Sequence, residues 1–149
     1  DKVLINKLIE ASQAGVYIDM VVRGICCLRA GVPDETENIH IISIVGRYLE
    51  HSRIYIFGQG ERARYYIGSA DWMTRSTLRR VEIAAPVTAP ALKARLQHIF
   101  DTMLADNCNA RVQQPDGSYV RRMPGADAVD CQAQFYEEAY QANVHSSLK

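Results

Sequence analysis

The chain has 149 residues, enough for one domain whose hydrophobic core needs neither disulfides nor a structural metal. Hydrophobic residues make up 48% and charged residues 23%, and no apolar run approaches the roughly 20 residues of a membrane-spanning helix, so the composition excludes disordered, collagen-like and transmembrane proteins. The 17 basic and 17 acidic residues cancel, which excludes a bulk electrostatic attraction of the whole chain to nucleic acid or membranes.

The first half of the chain predicts one helix followed by strands. Apolar residues recur at helical spacing over residues 3–14, and Gly15 follows as a stop signal. The β-rich segments 16–23 and 39–45 are predicted strands. A helix that leads directly into a buried strand is typical of a βαβ unit. We therefore expect a further strand before Asp1 and a chain that is a piece of a longer protein.

The middle of the chain predicts a hairpin and then a second helix. Segments 53–57 and 64–69 read as strands, and the two glycines between them favour a tight turn. Segment 81–85 is a further short strand. Pro90 opens a helix whose apolar residues form one stripe, which predicts a core-facing helix. The stripe consists of Leu92, Leu96, Ile99, Phe100, Met103 and Leu104.

The last third predicts another hairpin and a third helix. Segments 110–114 and 118–122 flank a Pro-Asp-Gly turn, and segment 128–144 has a broadly helical pattern with a frayed end after it. The whole order of elements predicts an α/β or α+β fold, a mixed β-sheet flanked by helices, in a single domain over residues 1–149.

The four cysteines lack the spacing of a metal site. Cys26 and Cys27 are adjacent, Cys108 and Cys131 stand alone, and no histidine lies at zinc-ligand spacing beside them. We expect no metal ligands in this chain. Small, reduced thiols are typical of a cytoplasmic protein, which is the compartment we expect.

The positive charge is concentrated in the middle third of the chain. Residues 51–95 contain eight basic and three acidic residues, and seven of the eight are arginines. Arginine has a planar fork that binds phosphate or carboxylate oxygens in pairs. Charge alone leaves two readings open, an anionic partner and a solvated arginine-rich surface.

His51 and Arg53 are the first candidates for chemistry. Strand side chains alternate, so these two project from the same face about 7 Å apart. An imidazole beside a guanidinium suits a phosphate site, where the histidine acts as nucleophile or proton carrier and the arginine neutralises the phosphate oxygens. The alternative is a histidine at the exposed end of a strand.

A second candidate segment, residues 68–71, ends the following strand. Gly68 allows a ligand to approach the backbone closely, Ser69 offers a hydroxyl and an amide, and Asp71 could accept a proton from an imidazole. A hairpin would return Ser69 beside His51. Taken alone, the segment is equally a turn with a helix cap.

Together, His-x-Arg and the later Gly-Ser-x-Asp resemble the His-x-Lys and Gly-Ser-x-Asn signature of phospholipase D-like phosphotransferases. The surrounding segments 22–28, 43–53, 69–75 and 79–82 resemble the C-terminal catalytic domain of bacterial polyphosphate kinase. The resemblance extends to about residue 106 and is weaker in the tail.

The resemblance implies a reversible transfer of the ATP γ-phosphate to inorganic polyphosphate through a phosphohistidine, in a tunnel lined by basic residues. Two homologous halves build such a site, and this chain corresponds to the second. The phosphorylated histidine and the Mg²⁺ ligands are expected in the first half. The resemblance further implies upstream domains as partners, a homo-oligomer and no nucleic-acid partner.

Carried over residue by residue, the resemblance makes Arg23 and His51 contacts of the nucleotide phosphates and His51 a general acid or base. Together with Arg53, Ser69 and Asp71, they form the predicted ATP- and phosphate-binding set. Either Arg79 or Arg80 could join it, but two adjacent residues that flank a strand do not both face one site.

Two departures from the wider signature separate the chain from a generic nuclease or lipase. Arg53 replaces the lysine, and Gly58 stands where an aspartate is expected. The imidazole of His51 must then be oriented by another group, and Asp71 or Glu50 is the expected one. A phospholipase D-like phosphodiesterase and a non-catalytic polyanion-binding domain are the alternative functions.

Overall fold

The structure is a computed structural model that describes the backbone of residues 1–147 and the side chains of residues 1–144. The expected frayed end concerns the last residues, and positions 148 and 149 lie outside the described residues. In chain order, the elements are α1 (Lys2–Gln13), β1 (Ile18–Val21), β2 (Ile39–Ile44), β3 (Ile54–Phe57), β4 (Arg64–Gly68), α2 (Thr74–Arg79), β5 (Ala84–Val87), α3 (Pro90–Ala105), β6 (Ala110–Gln113), β7 (Tyr119–Arg121) and α4 (Cys131–Ser147).

A four-stranded sheet with the order β1-β2-β6-β7 contains the hydrophobic core. Strands β1 and β2 are parallel, and β6 and β7 continue the sheet antiparallel. Ile39 and Ile41 pack on the side of α1, whereas Ile42 and Ile44 pack against residues of α3 and α4. Because β2 is covered on both faces, every residue of the strand except the exposed His40 is buried.

A second, three-stranded sheet has the antiparallel order β3-β4-β5. Gly58 and Gly60, with φ angles of 82° and 58°, make the β3–β4 turn, because few other residues adopt this left-handed backbone. Helix α3 contacts one face of the sheet, where the Tyr65 hydroxyl donates to Gln97 Oε1 at 2.7 Å. None of the strand residues of this sheet, all of which the structure describes, is fully buried.

Asp106 joins the start of β6 to the start of α4. Its Oδ1 accepts hydrogen bonds from the backbone amides of Cys108, Asn109 and Ala110, and its Oδ2 accepts one from Cys131 at 2.9 Å. Burial alone would raise the pKa of Asp106, but the hydrogen bonds from Cys131, Asn109 and Ala110 outweigh it and hold the pKa below its usual value. The ionised carboxylate is therefore the form that the fold stabilises.

The predicted α/β class is confirmed, with corrections to the elements. The strands form two sheets instead of one. Strand β5 begins at Ala84, three residues later than predicted, and it includes Pro86, which an edge strand tolerates because its N–H is not needed there. The short helix α2 was not predicted, and α4 begins at Cys131.

The apolar stripe of α3 is only partly core. Met103 is buried, whereas Leu92 is 55% exposed. The N-terminal part of α3 lies beside the shallow three-stranded sheet, and only its C-terminal part reaches the main core. No helix in the described part of the chain is long and apolar enough to cross a membrane.

Candidate active site

Three loops converge where the two sheets meet. Arg23 follows β1, residues 51–53 lead into β3, and Asp71 follows β4. The β3–β4 pairing continues one step beyond the strands, because the Gly68 amide donates to the Arg53 carbonyl at 2.9 Å. The hairpin therefore returns the Ser69 end beside the His51 end, as predicted.

Asp71 is the centre of the cluster. The Arg23 guanidinium donates to both of its carboxylate oxygens, at 3.1 and 2.9 Å, and Arg53 donates to Oδ1 from Nε at 3.2 Å, with its Nη2 in ion-pair contact with the same oxygen at 3.1 Å. Arg23 also donates to the Glu50 carbonyl at 3.0 Å. One carboxylate thus holds two guanidiniums side by side and neutralises only one of their two charges.

His51 lies against Arg53. The Arg53 Nη1 atom is 2.9 Å from His51 Nδ1 and 3.2 Å from Nε2, and it also donates to the His51 carbonyl at 3.0 Å. An atom this near to both ring nitrogens lies over the ring, since an approach in the ring plane would collide with Cε1 between them. The ring is exposed and accessible to a substrate.

The expected orientation of His51 by a carboxylate is wrong. Asp71 accepts hydrogen bonds from the two arginines, and the Glu50 carboxylate accepts one from Gln132. Within the described residues, neither carboxylate contacts the imidazole. The sequence alone did not indicate that the Asp71 carboxylate would bind the two arginines and not the histidine.

The hydroxyl and the backbone amide of Ser69 both form hydrogen bonds within the protein. Its hydroxyl donates to Glu82 and accepts a hydrogen bond from the Ile83 amide at 3.0 Å, while its own amide donates to the Ile83 carbonyl at 3.0 Å. Binding of a phosphate by Ser69 would therefore require exchange of these contacts. Glu82 was not among the predicted site residues, and it lies before β5, outside the regular strand.

An open cavity of about 610 Å³ lies over this end of the hairpin. It is lined by His51, Ser52, Arg53, Ile54, Ile67, Gly68, Ser69, Arg80, Glu82, Leu96 and Ile99. Arg80 is therefore the member of the Arg79 and Arg80 pair that faces the site. The charged side chains around the cavity are three arginines, Arg23, Arg53 and Arg80, and two carboxylates, Asp71 and Glu82. Their net charge is positive, which suits an anionic ligand.

Gly68 lines the cavity and also leaves space for a neighbouring side chain. A Cβ added there would stand 2.8 Å from Tyr55 Cε2, so the glycine makes room for the tyrosine ring and not for a ligand on that side. Tyr55 donates to the Ala70 carbonyl at 2.9 Å and stacks on Trp72 with ring centroids 5.4 Å apart. Desolvation by burial raises the pKa of Tyr55. Trp72 thus packs against the side chain of a strand residue.

The structure brings together four of the five predicted site residues, Arg23, His51, Arg53 and Asp71, and places Ser69 on the adjoining cavity wall. Among the residues that the structure describes, no group of three His, Cys, Asp or Glu side chains could hold a metal ion.

The two paired motifs and the mixed topology define the class, a phospholipase D-like α/β domain with its charged side chains at one end of a hairpin. A family model described as polyphosphate kinase C-terminal domain 2 matches residues 1–134. The chain belongs to that family.

Individual relatives agree with this assignment. The polyphosphate kinase of Bacillus anthracis is 49% identical over 142 residues, which are 95% of this chain and 20% of that protein. The polyphosphate kinase of Synechocystis sp. is 56% identical over 126 residues, which are 85% of this chain and 17% of that protein.

A crystal structure shows the same fold. The polyphosphate kinase from Porphyromonas gingivalis matches with a TM-score of 0.88 and 38% identity, over 95% of this chain and 22% of that one. This chain therefore spans about a fifth of the length of these relatives.

Proposed function

We propose that this chain is the C-terminal part of a longer polyphosphate kinase, and that it supplies the second half of a site which reversibly transfers the ATP γ-phosphate to inorganic polyphosphate. The observation that carries the proposal is the pair Arg23 and Arg53, held together by Asp71 beside an exposed His51. Such a cluster is suited to multiply charged phosphate oxygens.

The proposed role of the arginines is electrostatic. Phosphoryl transfer depends on positioning and on neutralising the charge that spreads over the phosphate oxygens, so preorganised guanidiniums act without moving. Asp71 holds Arg23 and Arg53 in place and leaves one net positive charge for the substrate. Arg80 adds a third guanidinium at the cavity wall.

The proposed role of His51 is proton transfer at the nucleotide phosphate. Its ring is exposed and its described partner is an arginine, not a carboxylate that would prepare it as a nucleophile. The phosphohistidine and the Mg²⁺ ligands are proposed to lie upstream in the longer protein. We further propose that the enzyme is cytoplasmic and homo-oligomeric, with its own upstream domains as partners of this one and no nucleic-acid partner.

The test uses the complete polypeptide that carries this chain, incubated with ATP and polyphosphate. His51→Ala should abolish synthesis, because alanine cannot transfer a proton. His98→Ala, an exposed histidine paired with Glu138 on the opposite helix, is the matched control and should leave the rate unchanged. Full activity of His51→Ala would overturn the assignment.

A phosphate-trapping experiment separates the two roles of His51. With labelled ATP, the acid-labile phosphate should be found on an upstream peptide. Recovery of that label on the peptide that contains His51 would identify it as the nucleophile instead.

Two further outcomes select the alternative functions. Cleavage of a phosphodiester without nucleotide would indicate a phosphodiesterase, and polyphosphate binding without any ATP-dependent synthesis would indicate a binding domain. The 149-residue chain alone should show no synthesis, since half of the catalytic groups are absent.

A further inference from the structure

The loop that leads into the site is held by a side chain from far along the chain. Gln132, in the first turn of α4, accepts a hydrogen bond from the Tyr48 amide at 2.9 Å, and its Nε2 donates to the Tyr48 carbonyl at 2.8 Å and to Glu50 Oε1 at 2.5 Å. The residue is only 6% exposed. Both amide protons and the carbonyl oxygen of Gln132 are thus used on this one loop.

The other hydrogen bonds that the structure describes for the 46–52 loop come from the charged cluster, where Arg23 donates to the Glu50 carbonyl and Arg53 donates to the His51 carbonyl. Within the described residues, no backbone–backbone hydrogen bond joins residues 46–52 to the rest of the chain. Val45, just before the loop, and Leu49, in the middle of it, are 61% and 76% exposed, so apolar packing adds little. Gln132 therefore holds Tyr48 and the Glu50 side chain from outside the charged cluster.

Gly46 fits this arrangement sterically. A Cβ at this position would stand 2.5 Å from Gln132 Oε1 and 2.9 Å from its Cδ. The backbone of Gly46 does not adopt the left-handed conformation that favours glycine, so the requirement is for space and not for flexibility. The glycine lets the amide of Gln132 lie directly against the loop.

The loop connects Gln132 to the charged cluster. The Glu50 carbonyl accepts the hydrogen bond from Arg23 Nη1 at 3.0 Å, and His51 is the next residue. At the other end, Gln132 follows Cys131, whose amide is bound by the buried Asp106. The start of α4 is thus held in place by Asp106, and Gln132 attaches the 46–52 loop to it.

We propose that Gln132 is a positioning residue of the phosphate site, which fixes the 46–52 loop and through it the places of Arg23 and His51. The proposal rests on the proposed function for its kinetic consequences, but not for its structural ones.

The test begins with Gln132→Glu in the complete polypeptide. The side chain keeps its size and its acceptor for the Tyr48 amide, but it loses both donors and places a carboxylate beside Glu50. Gln134→Glu is the matched control, because Gln134 lies on the same helix and is exposed, and its side chain donates to Glu138 and not to the loop. We expect kcat/KM for ATP to fall at least about tenfold in the first variant and to stay unchanged in the second.

A reciprocal exchange distinguishes positioning from general stability. In the double variant Glu50→Gln with Gln132→Glu, the new amide can donate to the new carboxylate, so activity should rise at least about threefold above the single Gln132→Glu variant. Gly46→Ala is a second route, because its methyl group displaces the Gln132 amide without removing it. It should reproduce the loss of activity with an unchanged melting temperature.

Amide hydrogen exchange tests, independently of catalysis, whether Gln132 fixes the 46–52 loop. Gln132→Glu and Gly46→Ala should accelerate exchange of the Tyr48 amide, which donates to Gln132 in the loop, while the strands of the four-stranded sheet exchange at their original rates. Unchanged exchange in this loop, or full activity of both variants, would overturn the proposal. The two proposals can fail separately. If the wild-type polypeptide makes no polyphosphate but exchange in the loop still accelerates in both variants, the proposed function is contradicted, whereas the role of Gln132 in fixing the loop remains supported.

Discussion

The two sheets of this domain differ in how much they bury. In the four-stranded sheet, Ile39, Ile41, Ile42 and Ile44 are all at most 3% exposed, because helices cover both faces. In the three-stranded sheet, Phe57 is 56% exposed, and no strand residue is fully buried. The site lies between the two sheets, with Arg23 attached to the first and His51 and Arg53 attached to the second.

The difference separates stability from chemistry. Hydrophobic burial in the four-stranded sheet supplies most of the folding free energy, so that sheet is the rigid support. The three-stranded sheet supplies accessible side chains and is held to the support by polar contacts such as Arg23 with Asp71. Substitutions in the two sheets should therefore have different consequences.

The largest expected effect is on stability. Ile41→Ala in β2 should lower the free energy of unfolding by about 3–4 kcal/mol, because the side chain is completely buried. Ile67→Ala in β4 makes the same chemical change at a residue that is 46% exposed and should cost about 1 kcal/mol. Urea unfolding of the two variants measures both losses, and equal losses would contradict the division between the sheets.

The next effect is on activity. Asp71→Asn keeps the size of the side chain but removes the charge that holds Arg23 and Arg53, so kcat/KM for ATP in the complete polypeptide should fall about a hundredfold. Asp101→Asn, on the exposed side of α3, is the control and should be neutral. A hundredfold loss in the control as well would show that the effect is not specific to the cluster.

A third prediction concerns pH. The folded state lowers the pKa of Asp106, so this group stabilises the fold above its unfolded pKa of about 3.9, and that contribution is lost as the pH falls through the folded value. Asp106→Asn should cost about 2 kcal/mol at neutral pH, because an amide cannot accept from every backbone donor around it. Unfolding measured from pH 7 to pH 3 should show the difference from wild type shrinking in acid; a constant difference would contradict the assignment.

The smallest expected effect tests whether the site needs the planar guanidinium group or only its positive charge. Arg23→Lys and Arg53→Lys keep the positive charge but lose the second guanidinium nitrogen, which in each arginine donates to a backbone carbonyl while another nitrogen binds Asp71, so activity should fall about tenfold in each. Arg75→Lys, on the exposed α2, is the control. Wild-type kinetics in both site variants would assign the arginines to the solvated surface.

Local patterns predicted most of the fold. The helical spacing of Leu4, Leu8 and their neighbours predicted α1, and the glycine turn predicted the β3–β4 hairpin. The split into two sheets was not predictable in this way, because it depends on which strands pair across long stretches of chain. The family resemblance, and not periodicity, indicated the phospholipase D-like arrangement.

The sequence predicted which residues form the site but not which of them pair with each other. The motifs indicated His51, Arg53 and Asp71, whereas the pairing of Asp71 with Arg23 joins residues 48 positions apart and has no local signal. Gln132 was missed for the same reason, since a glutamine in the first turn of a helix is unremarkable in sequence. Its partner Gly46 was the one available hint of a close approach.

Pro86 limits where the three-stranded sheet can grow. The proline pairs with Tyr66 in the β4–β5 ladder, and β5 is an edge strand, so the missing N–H belongs to the outer side of the sheet. That edge cannot offer a full row of donors to an incoming strand. The opposite edge, β3, carries no proline and begins directly after Arg53. Any segment that extends this sheet by strand addition must therefore join along β3, where its end would lie beside the charged cluster.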